Sequence, residues 1–346
     1  MTQISVIATI VAALVTTAGC ASAPRAAPSG ASLPPATTHE CAWVTSFGGD
    51  DVCGVEVPSG RSLGCVSTGS KPHGIAVSRD GARVFVSNEG ANTLSIVDSR
   101  ERRVIAEVPV GERPNQLALT PDGRHVWVLN NGSASITIVD AESGAVVRTI
   151  PSGRGPHIIV TNAARNAAIV TAEGDSSLEV FDLTTFERRS VVPVFAWPRV
   201  LAVTENGATA FLTIRWLNGA LVVGLDGAGP RDRVALGEPR FASEGKDAHG
   251  IALTPSGDEL LLTTQITGQL TFIDPRSLAV RGEVHVGNDP NWVEVTSDGR
   301  FAVVSNTADN AIAIVDVAAR RVTATSPAGR APKRLALGAC VAGSAP

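Results

Sequence analysis

The chain alternates short apolar runs with polar turns, and one such arrangement repeats along most of its length. The segment at 72–88 reads PHGIAVSRDGARVFVSN, in which an Asp-Gly turn separates two apolar runs. Related segments begin at Pro114, Pro156, Pro198, Ala248 and Pro290, and a shortened one begins at Pro332. Successive starts lie 42, 42, 42, 50, 42 and 42 residues apart. A fixed period of about 40 residues with strand-like content predicts a propeller or a solenoid.

Within one repeat the alternation predicts four strands. In the first unit they are GIAVS, VFVSN, TLSIVD at 93–98 and VIAEVPVG at 104–111. An Asp-Gly pair between the first two runs is a strong hairpin signal. Four strands in about 42 residues make one propeller blade. Two residues recur in register and are interpreted as turn residues. They are Gly81, Gly123, Gly207, Gly257 and Gly299 in the first turn, and Asp98, Asp140, Asp182, Asp274 and Asp316 at the end of the third strand.

The last repeat, from Pro332, holds only one strand. Shifting the register back by one period places the missing strands at 42–46, 52–57 and 63–69, where the sequence has suitable apolar runs. The N-terminal strands should therefore complete the C-terminal blade, which leaves no open sheet edge. We predict an all-β, seven-bladed propeller of four-stranded antiparallel blades over 40–346.

The cysteines fit this closure. Cys41 and Cys340 both lie where the chain ends meet, and Cys53 and Cys65 fall on neighbouring predicted strands. We predict the disulfides Cys41–Cys340 and Cys53–Cys65, which require an oxidising compartment. Other connectivities remain open. Metal binding is the alternative, but the sequence has no CxxC spacing, and the absence of CxxCH excludes ordinary covalent c-type haem attachment.

The N-terminus has the pattern of an export signal. Residues 4–18 are apolar, too few for a membrane span of about 20 residues but suited to a signal peptide. We predict a signal peptide at 1–19 and a lipid-modified Cys20, because Thr17-Ala18-Gly19-Cys20 is similar to a bacterial lipobox. An ordinary cleaved signal is the alternative. Residues 20–39 are rich in Ala, Pro and Ser and predict a tether to the membrane.

Composition narrows the function classes. The chain has 346 residues, of which 44% are hydrophobic and 18% charged, and this is too apolar for disorder. The net charge is −4 without a basic stripe, so we expect no nucleic-acid partner. Tyrosine is absent, so the core should consist mainly of Val, Ile, Leu and Ala. No cofactor motif is present, and we expect a monomer without cofactor or resident metal.

The repeat resembles a known family. VFVSN, VWVLN, AIVTA and AVVSN, with PHGIAVSRDG and NTLSIVD, are similar to the YVTN-type β-propeller repeat. Over 40–342 the chain resembles the YncE-like seven-bladed propellers of bacterial envelopes and surface layers. The resemblance implies the fold, but propellers include binders, lactonases, lyases and redox subunits, so it leaves the function open. No catalytic motif carries over residue by residue.

A ligand site is expected at the mouth of the central channel, where first strands begin and second strands end. The residues that follow each repeat start are all polar: His73, Asn115, His157, Arg199, His249, Asn291 and Lys333. Those that follow the second strands are Glu89, Asn131, Glu173, Arg215, Gln265 and Thr307. Imidazole and guanidinium groups suit a carboxylate or phosphate ligand. A hydrated channel that merely needs polar lining is the competing interpretation, and a zinc site of three histidines is a weaker one.

One irregularity favours function. The fifth repeat begins eight residues late, and the extra residues fall in EPRFASEGKDA at 238–248. By topology this link lies on the mouth face, where loop insertions often bind ligands. Its candidate residues are Arg240, Phe241, Glu244, Lys246 and Asp247. A neutral surface insertion is the alternative.

These observations support two main hypotheses. The first is a non-catalytic, lipid-anchored propeller of the cell envelope that binds a small anion, a peptide or an envelope protein at the mouth. The second is a lactonase-like hydrolase or a lyase that uses His73, His157 or His249 as acid or base, beside Arg199 or Glu173. Histidines and carboxylates converging within hydrogen-bond reach would favour the enzyme. A redox partner that docks haem or quinone is a third hypothesis without a supporting motif.

Overall fold

The alternating runs form β-strands that pair into seven four-stranded antiparallel sheets. The computed structural model describes residues 39–236 and 248–341. The signal peptide, Cys20 and most of the tether lie outside these residues, as do the candidate loop residues Arg240, Phe241, Glu244, Lys246 and Asp247. In the part of the chain that is described, no helix is long and apolar enough to span a membrane.

The chain begins with three strands of the closing blade, β1 (Glu40–Ser46), β2 (Asp51–Val57) and β3 (Ser62–Ser67). Blade 1 contains β4 (Pro72–Val77), β5 (Arg83–Asn88), β6 (Thr93–Asp98) and β7 (Arg103–Pro109). Blade 2 contains β8 (Pro114–Leu119), β9 (His125–Asn130), β10 (Ser135–Asp140) and β11 (Val146–Pro151). Blade 3 contains β12 (Pro156–Asn162), β13 (Ala167–Ala172), a short 3₁₀ helix (Glu173–Asp175), β14 (Ser177–Asp182) and β15 (Arg188–Pro193).

The second half repeats this plan. Blade 4 contains β16 (Pro198–Val203), β17 (Thr209–Ile214), β18 (Gly219–Gly224) and β19 (Gly229–Ala235). Blade 5 contains β20 (Ala248–Leu253), β21 (Leu260–Thr264), β22 (Gln269–Ile273) and β23 (Val280–His285). Blade 6 contains β24 (Pro290–Val295), β25 (Phe301–Asn306), β26 (Ala311–Asp316) and β27 (Arg321–Pro327). The last strand, β28 (Pro332–Ala339), is the inner strand of blade 7.

The ring closes as the sequence predicts. Blade 7 has the order β28-β1-β2-β3, so one C-terminal and three N-terminal strands share a sheet. Each inner strand contacts the inner strands of both neighbouring blades, and β28 contacts β4 to complete the circle. Disulfides join Cys41 to Cys340 and Cys53 to Cys65, which confirms the predicted pairing. Two disulfides indicate an extracytoplasmic protein.

The recurring turn residues have the roles that the sequence assigns to them. Gly81 has a φ of +72°, and a Cβ atom there would lie 1.8 Å from the carbonyl oxygen of Ala339. The carboxylate of Asp98 accepts hydrogen bonds from the backbone N–H groups of Arg100 and Glu101. Between the blades, buried Val, Ile, Leu and Ala side chains form the core, with few large rings such as Trp127 among them.

Candidate functional site

A hydroxyl group on the second strand of most blades positions the residues at the channel mouth. In blade 7 the Thr45 hydroxyl accepts a hydrogen bond of 3.1 Å from the backbone N–H of Arg334. It lies 3.1 Å from the carbonyl oxygen of His73, to which it can donate, on blade 1. The same bridge to the next blade joins Ser87 to Asn115, Thr171 to Arg199, Thr213 to His249 and Ser305 to Lys333. We call these contacts the hydroxyl relay, and they fix the backbone of the mouth residues.

The mouth contains two histidine–glutamate pairs. Nδ1 of His73 lies 3.6 Å from Oε2 of Glu89, and Nδ1 of His157 lies 3.6 Å from Oε1 of Glu173. Both imidazoles are buried, whereas the two carboxylates are partly exposed. At 3.6 Å these contacts are slightly longer than ordinary hydrogen bonds.

Arg199 connects blades 3, 4 and 5. Its Nε lies 3.5 Å from Oε1 of Glu173, and its Nη2 lies 3.3 Å from Nε2 of His249. Nδ1 of His249 lies 2.6 Å from the carbonyl oxygen of Asn291, so Nδ1 carries the proton and Nε2 accepts from Arg199. Both nitrogens of His249 are therefore engaged, and this histidine orients Arg199.

The most deeply buried charge at the site is Arg334, which the sequence prediction missed. Its side chain is 1% exposed, and its guanidinium lies 4.2 Å from the ring centroid of Trp292. Nη2 lies 3.4 Å from Nε2 of His157, but Nε and Nη1 have no hydrogen-bond partner among the described residues. A signal was present in the sequence. The equivalent residues of the other repeats are uncharged: Gly74, Gln116, Ile158, Val200, Gly250 and Trp292.

Burial and mutual repulsion control the protonation of this group. Burial, followed by the nearby Arg334 and Arg199 charges, lowers the pKa of His73 and His157 well below 6.5, and the same causes act on His249. Burial also lowers the pKa of Arg334 to about 9. Burial raises the pKa of Glu173, against the opposing influence of Arg199. At neutral pH the histidines are therefore neutral, and positive charge resides on the arginines.

Lys333 and Asn115 are two further predicted residues of the mouth. Lys333 places its ammonium 3.7 Å from the ring centroid of Phe47, a second residue that the sequence prediction missed. Phe47 also meets the ring of His73 edge-on at 5.6 Å. Asn115 is buried, and its Oδ1 has no hydrogen-bond partner among the described residues.

Arg215 lies at the rim rather than in the channel. Its guanidinium is 4.7 Å from the ring centroid of Trp197 and 5.3 Å from that of Trp216. Both tryptophans are about half exposed, and the adjacent Phe195 is 63% exposed. An aromatic rim thus borders the cationic mouth on blade 4.

The described residues offer no converging zinc site at the mouth. The ligand atoms of His73, His157 and His249 do not lie within 4.8 Å of one another. A grouping of Asp51, Cys53 and Cys65 meets that distance, but the two sulfurs form a disulfide and are not available as thiolates.

The comparisons with known proteins agree with this architecture. Residues 43–167 match the family model described as YNCE-like beta-propeller. No curated protein sequence matches the chain. The fold is similar to the periplasmic gluconolactonase PpgL of Pseudomonas aeruginosa, with 20% identity and a TM-score of 0.69 over 87% of this chain and 99% of that one.

Two further solved structures show the same similarity. Hydrazine synthase of Kuenenia stuttgartiensis has 20% identity and a TM-score of 0.70, covering 80% of this chain and 92% of the other. A protein from Lactobacillus plantarum has 14% identity and a TM-score of 0.72, covering 88% and 100%. At such low identities the similarity shows a shared fold, which serves many functions.

Proposed function

We propose that this chain, a YncE-like seven-bladed β-propeller, is a binding protein of the cell envelope that holds a small organic anion at its channel mouth. Arg334 carries the proposal, because its buried guanidinium has two nitrogens without a hydrogen-bond partner among the described residues. A buried cation without a counter-ion is unfavourable, and an anionic ligand supplies both the charge and the acceptors. Arg199 and Lys333 add positive charge around the same opening.

The ligand class follows from the donors. A carboxylate or phosphate group can accept from Arg334 in the channel, and a polar or ring-shaped body can extend towards the aromatic rim at Trp197 and Trp216. We further propose that a lipid on Cys20 and the tether at 20–39 hold a monomeric propeller at the membrane surface, without a nucleic-acid partner. Moving the protein from the membrane to the soluble fraction by Cys20→Ala would support the anchor.

Calorimetric titration of the full-length protein with gluconate, 6-phosphogluconate, succinate and inorganic phosphate tests the binding proposal. We expect at least one of these anions to bind, and Arg334→Gln to weaken its binding at least tenfold. Arg276→Gln is the matched control, because Arg276 is exposed on an outer turn and its loss removes the same charge. Equal affinity in the native protein and Arg334→Gln, or no binding by any of the four anions, would overturn the proposal.

A second candidate function is lactone hydrolysis, which the His157–Glu173 pair favours. The low pKa of His157 keeps its imidazole neutral at pH 7, as a general base requires. In this scheme the bound lactone accepts the Arg334 hydrogen bond in place of Nε2 of His157, which frees this nitrogen. Water then attacks the ring carbonyl, Nε2 of His157 takes the proton of the water, and Arg199 stabilises the oxyanion. The C–O ring bond then breaks, and the leaving alkoxide takes the proton back from His157, which gives the hydroxy acid. PpgL, a gluconolactonase, has a similar fold.

Titrating released acid during incubation with gluconolactone separates the two functions. A hydrolase should turn the lactone over faster than the spontaneous reaction. His157→Gln should lower the catalysed rate on the order of 10²-fold or more, because it removes the general base. If the rate equals the spontaneous one and gluconate binds tightly, the result supports the binding function and excludes lactone hydrolysis.

A further inference from the structure

The lower half of the central channel differs in chemistry from the mouth. It forms a cavity of about 540 Å³ to which the inner strands of all seven blades contribute. This volume lies within the range of ordinary small-molecule pockets, roughly 300–1,000 Å³. Among the described residues that line it, the titratable side chains are two carboxylates, Glu294 inside the cavity and Glu40 at its lower opening. Glu40 accepts hydrogen bonds from the backbone N–H of Ser297.

Glu294 interrupts a ring of small apolar residues. We call this layer the small-residue ring, and it consists of the fifth residue of each repeat: Ala76, Ala118, Val160, Ala202, Ala252, Glu294 and Ala336. One repeat in seven thus carries a carboxyl group where the others carry alanine or valine. A propeller of this geometry closes with alanine at that position, so closure does not require the carboxylate.

The surroundings of Glu294 leave a negative charge uncompensated. Oε1 accepts a hydrogen bond of 2.9 Å from Nε1 of Trp292. No cation of the described residues forms a salt bridge with this carboxylate, and burial raises its pKa to about 7. Arg334 stacks on the ring of Trp292 but is engaged with His157 at the mouth. Burying an unpaired carboxylate is unfavourable unless a cation accompanies it.

A second polar group of the same cavity is also without a partner. Gln116 lines the cavity, is 6% exposed, and its Oε1 has no hydrogen-bond partner among the described residues. The unmatched groups are therefore a carboxylate and an amide carbonyl, and both are acceptors. They call for a ligand that donates hydrogen bonds and carries positive charge, with an apolar body that fits against alanine methyl groups.

We propose that the lower channel is a binding site for a small organic ammonium ion, whose N–H groups donate to Glu294 and Gln116 while its hydrocarbon part packs against the small-residue ring. This site goes beyond the proposed anion binding, because it has the opposite charge and lies in the other half of the channel. The ring would then hold ligands of opposite charge at its two ends.

Calorimetric titration of the full-length protein at pH 8 with n-hexylammonium, hexanoate and hexanol tests this site. We expect n-hexylammonium to bind at least tenfold more tightly than the other two probes. Glu294→Ala should remove that preference, and since it installs the residue found at this position in most repeats, the fold should persist, which circular dichroism checks. Glu283→Gln on the exposed strand β23 is the control and should leave the affinity unchanged.

Gln116→Leu provides an independent test, because it removes the carbonyl acceptor and keeps the cavity apolar. It should weaken the binding of n-hexylammonium several-fold without strengthening the binding of hexanoate. The proposal fails if hexanol or hexanoate binds as tightly as the ammonium ion, if Glu294→Ala leaves the dissociation constant within twofold, or if no ammonium binding occurs at millimolar concentration.

Discussion

Nη2 of Arg334 lies 3.4 Å from Nε2 of His157, although the two residues are 177 positions apart and belong to blades 7 and 3. The contact therefore crosses the channel instead of joining neighbours around the ring. On its far side His157 faces Glu173, which Arg199 also contacts. The mouth is thus one electrostatic unit, and a change on one blade should alter groups on the opposite blade.

Replacing Arg334 by methionine tests whether this charge serves a ligand rather than the fold. Burial lowers the pKa of Arg334 to about 9, so the charged guanidinium is less stable in the folded protein than in water. We expect Arg334→Met to raise the free energy of unfolding of the ligand-free protein by on the order of 1–4 kcal/mol. The same variant should lose all stabilisation by organic anions. Urea denaturation with and without gluconate measures both effects, and a loss of stability would contradict a ligand role.

The buried histidines predict a loss of stability in mild acid. Burial and the neighbouring arginines hold the pKa of His73, His157 and His249 well below 6.5. Below pH 6.5 the unfolded chain therefore binds more protons than the folded one, and the contribution of these groups to stability falls as the pH drops. Urea denaturation between pH 5 and 7.5, compared between the native protein and His249→Gln, should show a smaller slope in the variant. An identical slope would mean that His249 does not titrate in this way.

Most of the fold was predictable because the repeat encodes it. The 42-residue period predicts the blades. Shifting that period towards the N-terminus predicts the first two closing strands, and their predicted first residues lie within two positions of the first residues of β1 and β2. Cys41 and Cys340 could be paired because both fall where the chain ends meet. Local alternation and fixed spacing carry this information, so no knowledge of distant contacts was needed.

The site was predictable only in part, because its chemistry depends on contacts across the ring. Counting from each repeat start identifies His73, His157 and Arg199 as mouth residues. The same count cannot show that Arg334, one position further on, reaches across the channel to His157. Nor does it show that Phe47, in the turn between β1 and β2 of the closing blade, lies against Lys333. These pairings depend on side-chain direction in a closed ring, which periodicity does not specify.

The hydroxyl relay predicts that a buried threonine supports the mouth. The Thr213 hydroxyl accepts from the backbone N–H of Val200 and lies 3.0 Å from the carbonyl oxygen of His249. Thr213→Val keeps the shape but leaves these buried groups unpaired, so we expect a loss of about 1–3 kcal/mol in unfolding free energy. Blade 2 has Leu129 at this position and still forms, so the variant should fold.

Thr149→Val is the matched control for this variant, because Thr149 is exposed on the outer strand β11. It should change the unfolding free energy by less than about 0.5 kcal/mol. Anion affinity should fall in Thr213→Val but not in Thr149→Val, since only the former releases the backbone that carries His249. Equal stability of the two variants would show that the relay does not stabilise the ring.

Glu294 predicts a pH dependence of the opposite sign to that of the histidines. Burial raises its pKa from 4.5 to about 7, so between these values the folded state holds a proton that the unfolded chain has lost. Stability from this group is therefore present below pH 4.5 and declines as the pH rises to 7. The full effect above pH 7 is at most about 3 kcal/mol.

Glu294→Gln, which cannot ionise and keeps an acceptor for Trp292, should be more stable than the native protein at pH 8 and equal to it at pH 4. Urea denaturation at both pH values measures the difference, with Glu283→Gln as control. A difference that is the same at both pH values would show that Glu294 does not ionise within the channel.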